Sequence, residues 1–263
     1  MQLYSDELLI VQDFQLVPRD RIVPIANDET VIDDLLEKIA ELGNGNAWIN
    51  SSGKGDPPPD FYSDVHGLML EIMRVDDHGY ISAKNKVVNP TYELENRILN
   101  SIRRENPEIV ESDVQLYIVA STDLPTKEDH NYIYYLNNFS NIVNKHLKKV
   151  SEYQKNHLGH KIIFFVQDES TMYFLPESEG AAVEVGAMFK GNLHWWFRDK
   201  EFLEVFQNAN IDYLIWHTPY KRAEIFSENG LPFRIPEVVV FDIANFAISS
   251  ISYDEKRMES LEI

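Results

Sequence analysis

Two carboxylates stand out by type, setting and spacing. Asp60 closes the proline run Pro57-Pro58-Pro59, and Glu71 follows inside the apolar stretch Leu68-Met69-Leu70-Glu71-Ile72-Met73. An ionised group in the middle of a strand-like run must find a partner, because burying an unpaired charge is very costly. Two such acids brought together repel each other unless a cation lies between them. Oxygen ligands of this kind suit a hard divalent ion such as Mg²⁺ or Mn²⁺. A metal so held would lower the pKa of a bound water and stabilise charge on a phosphate.

Met73 shares the Glu71 face of a strand, since side chains alternate with period two, and a thioether carries no charge. Asp76-Asp77-His78-Gly79 reads as a turn between strands at Leu68 to Val75 and Tyr80 to Val88. A symmetric turn there sets Lys84 opposite Glu71, with side-chain roots about 5 Å apart. Lys84, or Lys86, is therefore expected to pair with Glu71, at the least as a plain ion pair. The Asp76-Asp77-His78 cluster reads first as a polar turn and second as a ligand set. Glu37 and Glu41 are spaced to share one side of a helix, as a solvated face or as further ligands.

The surrounding elements alternate. Residues 29–42 carry Ile32, Leu35, Leu36 and Ile39 at helical spacing, with Asp28 or Thr30 as cap and Gly43 as stop. A helix is expected after Asn89-Pro90, a strand at 114–120, and one long helix over 131–157. Further strands are expected at 161–166, 171–175, 211–216 and 237–241, a short helix at 199–207, and a frayed tail from Tyr253. Helices alternating with strands, with hairpins among them, predict an α/β fold with a mixed sheet flanked by helices. A single domain over 1–263 is expected, its weakest joint near 121–131.

The order helix, short strand, Pro-Asp, turn, apolar strand with an internal Glu, then helix and strand resembles the PD-(D/E)xK, or restriction-endonuclease-like, nuclease superfamily. The resemblance covers the pattern of residues 30–75 and implies a restriction-endonuclease-like core and a Mg²⁺- or Mn²⁺-dependent endonuclease. Asp60 and Glu71 would be the metal ligands, and acids of the first helix would complete the site. Met73 stands where that family has its lysine, so Lys84 would assist from the next strand.

Composition narrows the partners. The chain is 44% hydrophobic and 12% aromatic, which marks a folded globular protein. It has no cysteine, which excludes disulfides and thiolate metal sites and suggests a reducing, cytoplasmic setting. No apolar run approaches the roughly 20 residues of a membrane span. The net charge of −19 repels nucleic acid at long range. Against that background residues 141–166 are locally basic, with Lys145, Lys148, Lys149, Lys155 and Lys161 beside His146, His157 and His160. This segment is either a solvated helix face or a surface that meets phosphates. If the site is silent, the acidity itself becomes the working property, and a basic protein partner is the alternative. His194-Trp195-Trp196-Phe197 reads as core, and Trp216 to Arg222 as a strand end that lines a cleft or forms a loop.

Overall fold

The computed structural model describes residues 6–51, 59–78, 80–81, 87–88, 94, 97–98, 101–102, 104–106, 130–177, 191–206, 209–221, 224–226 and 232–261. The helix expected after Asn89-Pro90 is described only at scattered positions. The strand expected at 114–120 lies outside the described residues, as does nearly all of the weak joint at 121–131.

The chain opens with helix α1 (Asp6–Gln15), strand β1 (Ile22–Ile25) and helix α2 (Glu29–Ala40). The Asp28 carboxylate accepts the Thr30 N–H at 3.0 Å and so caps α2. Ile32, Leu35 and Ile39 form its buried stripe. Next come β2 (Ile49–Asn50), β3 (Phe61–Ser63) and β4 (Leu68–Val75), an antiparallel meander. Gly67, with φ of +62°, turns the chain from β3 into β4.

The two strands β5 (Tyr80–Ile81) and β6 (Val87–Val88) pair only with each other among the described residues. Helix α3 (Tyr132–Leu147) and helix α4 (Val150–Asn156) follow, with a break at Lys148 and Lys149 where one continuous helix was expected. The Asn131 side chain accepts the N–H groups of Ile133 and Tyr134 and starts α3. Then come β7 (Lys161–Asp168), β8 (Tyr173–Pro176), β9 (Gly191–Leu193), α5 (Lys200–Glu204) and β10 (Tyr213–His217). The small pair β11 (Glu224–Phe226) and β12 (Pro232–Arg234) precedes β13 (Val238–Asp242) and β14 (Glu259–Ser260).

Among the described residues the main sheet runs β1-β13-β10-β7-β4-β3-β2. Strands β4, β7 and β10 are mutually parallel, and β13 is antiparallel to β10. The mixed α/β class expected from the sequence is the class observed. Alternation along each strand splits the core into two layers. Leu68, Leu70, Ile72, Ile163, Phe165, Ile215 and Val240 face α1 and α2. Met69, Met73, Val75, Phe164, Val166, Trp216 and Phe241 face α3, α4 and α5. Each such aliphatic or aromatic side chain contributes about 1.5–3 kcal/mol when fully buried.

Two expectations are corrected. The described ends of the segment expected to pair with β4, Tyr80–Ile81 and Val87–Val88, pair with each other, and the described neighbours of β4 are β3 and β7. The C-terminal tail is tied down: β14 pairs with β8, and Arg257 donates to the Pro176 carbonyl at 2.7 Å. The aromatic cluster at 194–197 is largely core, with His194 and Trp196 buried.

Candidate functional site

The β3–β4 ladder brings Asp60 and Glu71 together. Phe61 pairs with Leu70, and Tyr62 with Met69. One rung further, Asp60 falls opposite Glu71. The Asp60 Oδ2 accepts the backbone N–H of Ile72 at 2.8 Å, which fixes its carboxylate against β4. Glu71 is on the face of β4 covered by α3 and α4.

Glu71 is buried, with 4% of its surface exposed. Its Oε1 lies 2.5 Å from His146 Nδ1 and accepts the Tyr153 hydroxyl at 2.7 Å. Burial and the Glu71 charge push the Tyr153 phenol well above its ordinary pKa, so it serves as a donor. Asp60 is half-buried. Burial first, and the charge of Glu71 second, push its carboxyl up to about 7. The Ile72 N–H and the Lys149 ammonium pull in the opposite direction, while Glu7 of α1 adds a further negative charge.

His146, Lys149 and Tyr153 come from the α3–α4 junction at offsets of three and four residues. That spacing puts them on one side of a helical segment. The same spacing is visible in the sequence within the expected helix over 131–157. Lys145, Lys148 and Lys155 are exposed, and Lys149 is half-buried beside Asp60. The basic segment therefore borders the acid pair.

The other expected site residues fall elsewhere. Glu37 is exposed, and Glu41 pairs with His66 at 2.9 Å, so α2 brings neither to the acid pair. Lys84 lies outside the described residues. The described residues on either side of it, Tyr80–Ile81 and Val87–Val88, pair with each other, and Glu71 is level with Phe164 of β7. Met73 is 2% exposed, and it packs within the hydrophobic layer under α3 and α4. Next to the site, the ring centroids of Tyr62 and His157 lie 4.1 Å apart with the planes tilted by 38°, and His160 pairs with Asp64 at 3.1 Å.

A second constellation was not foreseen. Lys221 is 1% exposed, and its ammonium donates to Asp168 Oδ2 at 2.8 Å and to the Tyr135 hydroxyl at 3.1 Å. Asp168 Oδ2 also accepts the Trp216 indole at 3.0 Å and the Tyr135 hydroxyl, while Oδ1 accepts the Ser170 N–H and hydroxyl. Burial holds the Lys221 ammonium below its usual pKa, and Asp168 opposes that effect. Beside it, Asp199 accepts His194 Nε2 at 2.7 Å and the Tyr132 hydroxyl. These networks satisfy buried polar groups at the end of β7 and under α3. A Lys five residues past an apolar strand gives no sequence sign of burial.

No protein-family model matches the chain, no curated protein matches its sequence, and no solved structure matches its fold. Among the described residues no helix is long and apolar enough to cross a membrane.

Proposed function

We propose that this protein is a divalent-metal-dependent hydrolase of nucleic-acid phosphodiesters, an endonuclease whose metal is held by Asp60 and Glu71. The observation that carries this reading is the closeness of two acids, with Asp60 bonded to the Ile72 N–H and its charge felt against that of Glu71. One is buried, and the other is pushed up to about 7 by burial and by its neighbour. A divalent cation relieves that repulsion, and the donor set of two carboxylates suits Mg²⁺ or Mn²⁺. Bound there, it would supply Lewis-acid stabilisation of phosphate charge and an activated water.

The chain's own groups do the rest. His146 and Tyr153 converge on Glu71 Oε1 and orient that carboxylate. Orientation of this kind is the usual task of groups behind a metal ligand. The Lys149 ammonium acts on Asp60 as a favourable cation. Exposed Lys145, Lys148 and Lys155 offer phosphate contacts along the same segment. The meander β2-β3-β4, followed by a helical segment and a parallel β7, supports a restriction-endonuclease-like core.

One observation favours a second reading. Met73 occupies the lysine position and is packed in the core, so that strand supplies no cation beside Glu71. A catalytically silent acidic protein that binds a basic partner protein fits this, together with the net charge of −19. The test is cleavage of plasmid DNA and of RNA in Mg²⁺ or Mn²⁺, beside Asp60→Asn and Glu71→Gln. Cleavage lost in both variants is the expected result. No cleavage and no Mn²⁺ uptake by the wild type would leave the acidic binding protein.

A further inference from the structure

The turn that ends β4 carries more than polarity. Asp77 has 0% of its surface exposed and His78 7%. The chain returns to them at His130, just before the cap of α3. The His130 Nδ1 lies 2.9 Å from Asp77 Oδ1, although 53 positions separate the two residues. One carboxylate oxygen of Asp77 and one ring nitrogen each of His78 and His130 all lie within 4.8 Å of one another.

We propose that Asp77, His78 and His130 form a binding site for a divalent transition metal of the zinc type, separate from the acid pair and independent of the reading given to it. The ligand chemistry differs from that of Asp60 and Glu71. Two imidazoles and one carboxylate select zinc or a neighbouring transition metal, whereas a bare carboxylate pair selects Mg²⁺ or Mn²⁺. The spacing is compatible with a shared ion. Two adjacent ligands, each about 2.1 Å from a metal, lie about 3.0–3.4 Å apart, close to the Asp77–His130 separation.

The supporting groups are in place. Asp77 Oδ2 accepts the Tyr173 hydroxyl at 2.6 Å and the Thr171 N–H at 3.0 Å. Those bonds fix the carboxylate with Oδ1 turned towards His130. The backbone beneath is anchored as well. Asn138 of α3 donates to the carbonyls of Asp76 at 3.2 Å and His78 at 3.1 Å, and Asn131 N–H donates to the Asp77 carbonyl at 3.2 Å. Ligating carboxylates held by such partners lose 10–100-fold in metal affinity when the partners are removed.

The location strengthens the assignment. Asp77 and His78 follow the carboxyl end of β4, next to the end of its parallel neighbour β7, which is where open α/β sheets hold ligands. A metal there would clamp the end of β4 to the start of α3. The comparable trio Asp64, His157 and His160 is less prepared, since the Asp64 side chain is 70% exposed.

The test uses the full chain and Zn²⁺ competed against a chromophoric chelator, with Co²⁺ absorption as a second signal. One tight equivalent of Zn²⁺ is expected. Its affinity should fall at least tenfold in His78→Ala and in His130→Ala, and stay unchanged in His157→Ala/His160→Ala and in Asp60→Asn/Glu71→Gln. His130→Gln keeps a polar group at the helix start, and a circular dichroism melt shows whether each variant folds. Tight Zn²⁺ binding unaltered by His130→Gln, lost only with His157 and His160, or absent from the wild type overturns the site. Mg²⁺-dependent cleavage is a separate readout, so the failure of either proposal is seen without the other.

Discussion

Asp60 stands one rung beyond the last described pair of the β3–β4 ladder, and the residue across that rung is Glu71. The fold offers the pair one fixed contact in the strand, the Ile72 N–H on Asp60 Oδ2, and surrounds Glu71 with His146 and Tyr153. Charge that is this concentrated on a covered sheet face has consequences for pH and for metal binding.

The Asp60 carboxyl holds its proton up to about pH 7 in the folded chain, against an ordinary value of 3.8. Between those values the folded state binds more protons than the unfolded state, so stability should fall as pH rises across this window and level off above it. Each pH unit between the two values is worth at most about 1.4 kcal/mol. Asp60→Asn should flatten the slope in urea melts taken from pH 4 to 8. Mn²⁺ should displace the proton, so its affinity in calorimetry should climb up to tenfold per pH unit towards 7.

Replacing Met73 with lysine would restore the residue type that the nuclease resemblance expects. The structure predicts the opposite of a rescue. Met73 is 2% exposed between Met69, Val75 and the aromatic layer under α3. Met73→Lys should destabilise the chain by about 2–4 kcal/mol, through lost packing and a buried charge. Denaturant midpoints of the variant check this, and undiminished stability would refute the placement.

Lys221 and Asp168 form a wholly buried ion pair at 2.8 Å. Removing one partner leaves the other buried and uncompensated, at a cost of about 3–5 kcal/mol. Lys221→Met and Asp168→Asn should each be severe. The double variant should cost less than their sum, by about 1–3 kcal/mol. A double-mutant cycle in urea measures that coupling, and additivity would show that the pair contributes no interaction of its own.

Burial holds the His194 imidazole below its ordinary pKa of 6.5, while its Nε2 meets Asp199. The unfolded chain takes up this proton first as pH falls. Stability from this group is therefore present above pH 6.5 and lost progressively below it. His194→Gln should cost most at neutral pH, and its deficit relative to wild type should shrink by up to about 1.4 kcal/mol per pH unit below that point. A constant deficit from pH 7 to 5 would contradict it.

Local signals in the sequence determined the elements and the acid pair. The period of Ile32, Leu35 and Ile39 gives α2, and the apolar run around Glu71 gives β4. A charge inside that run marks a place where the fold must supply partners. Tertiary structure alone decided which partners those are. Strand β4 is flanked by β7, ninety-three positions away at Leu68 and Lys161, and not by the segment that follows it in sequence. Parity arguments hold only within a strand and its true neighbour, and the neighbours described for β4 are β3 and β7. The same long-range closure buries Lys221 on Asp168, sets His146 and Tyr153 on Glu71, and carries His130 to Asp77. A local pattern records which face of an element is apolar. It does not record which distant side chain will satisfy a charge on that face, because that choice is made by the packing of the whole sheet.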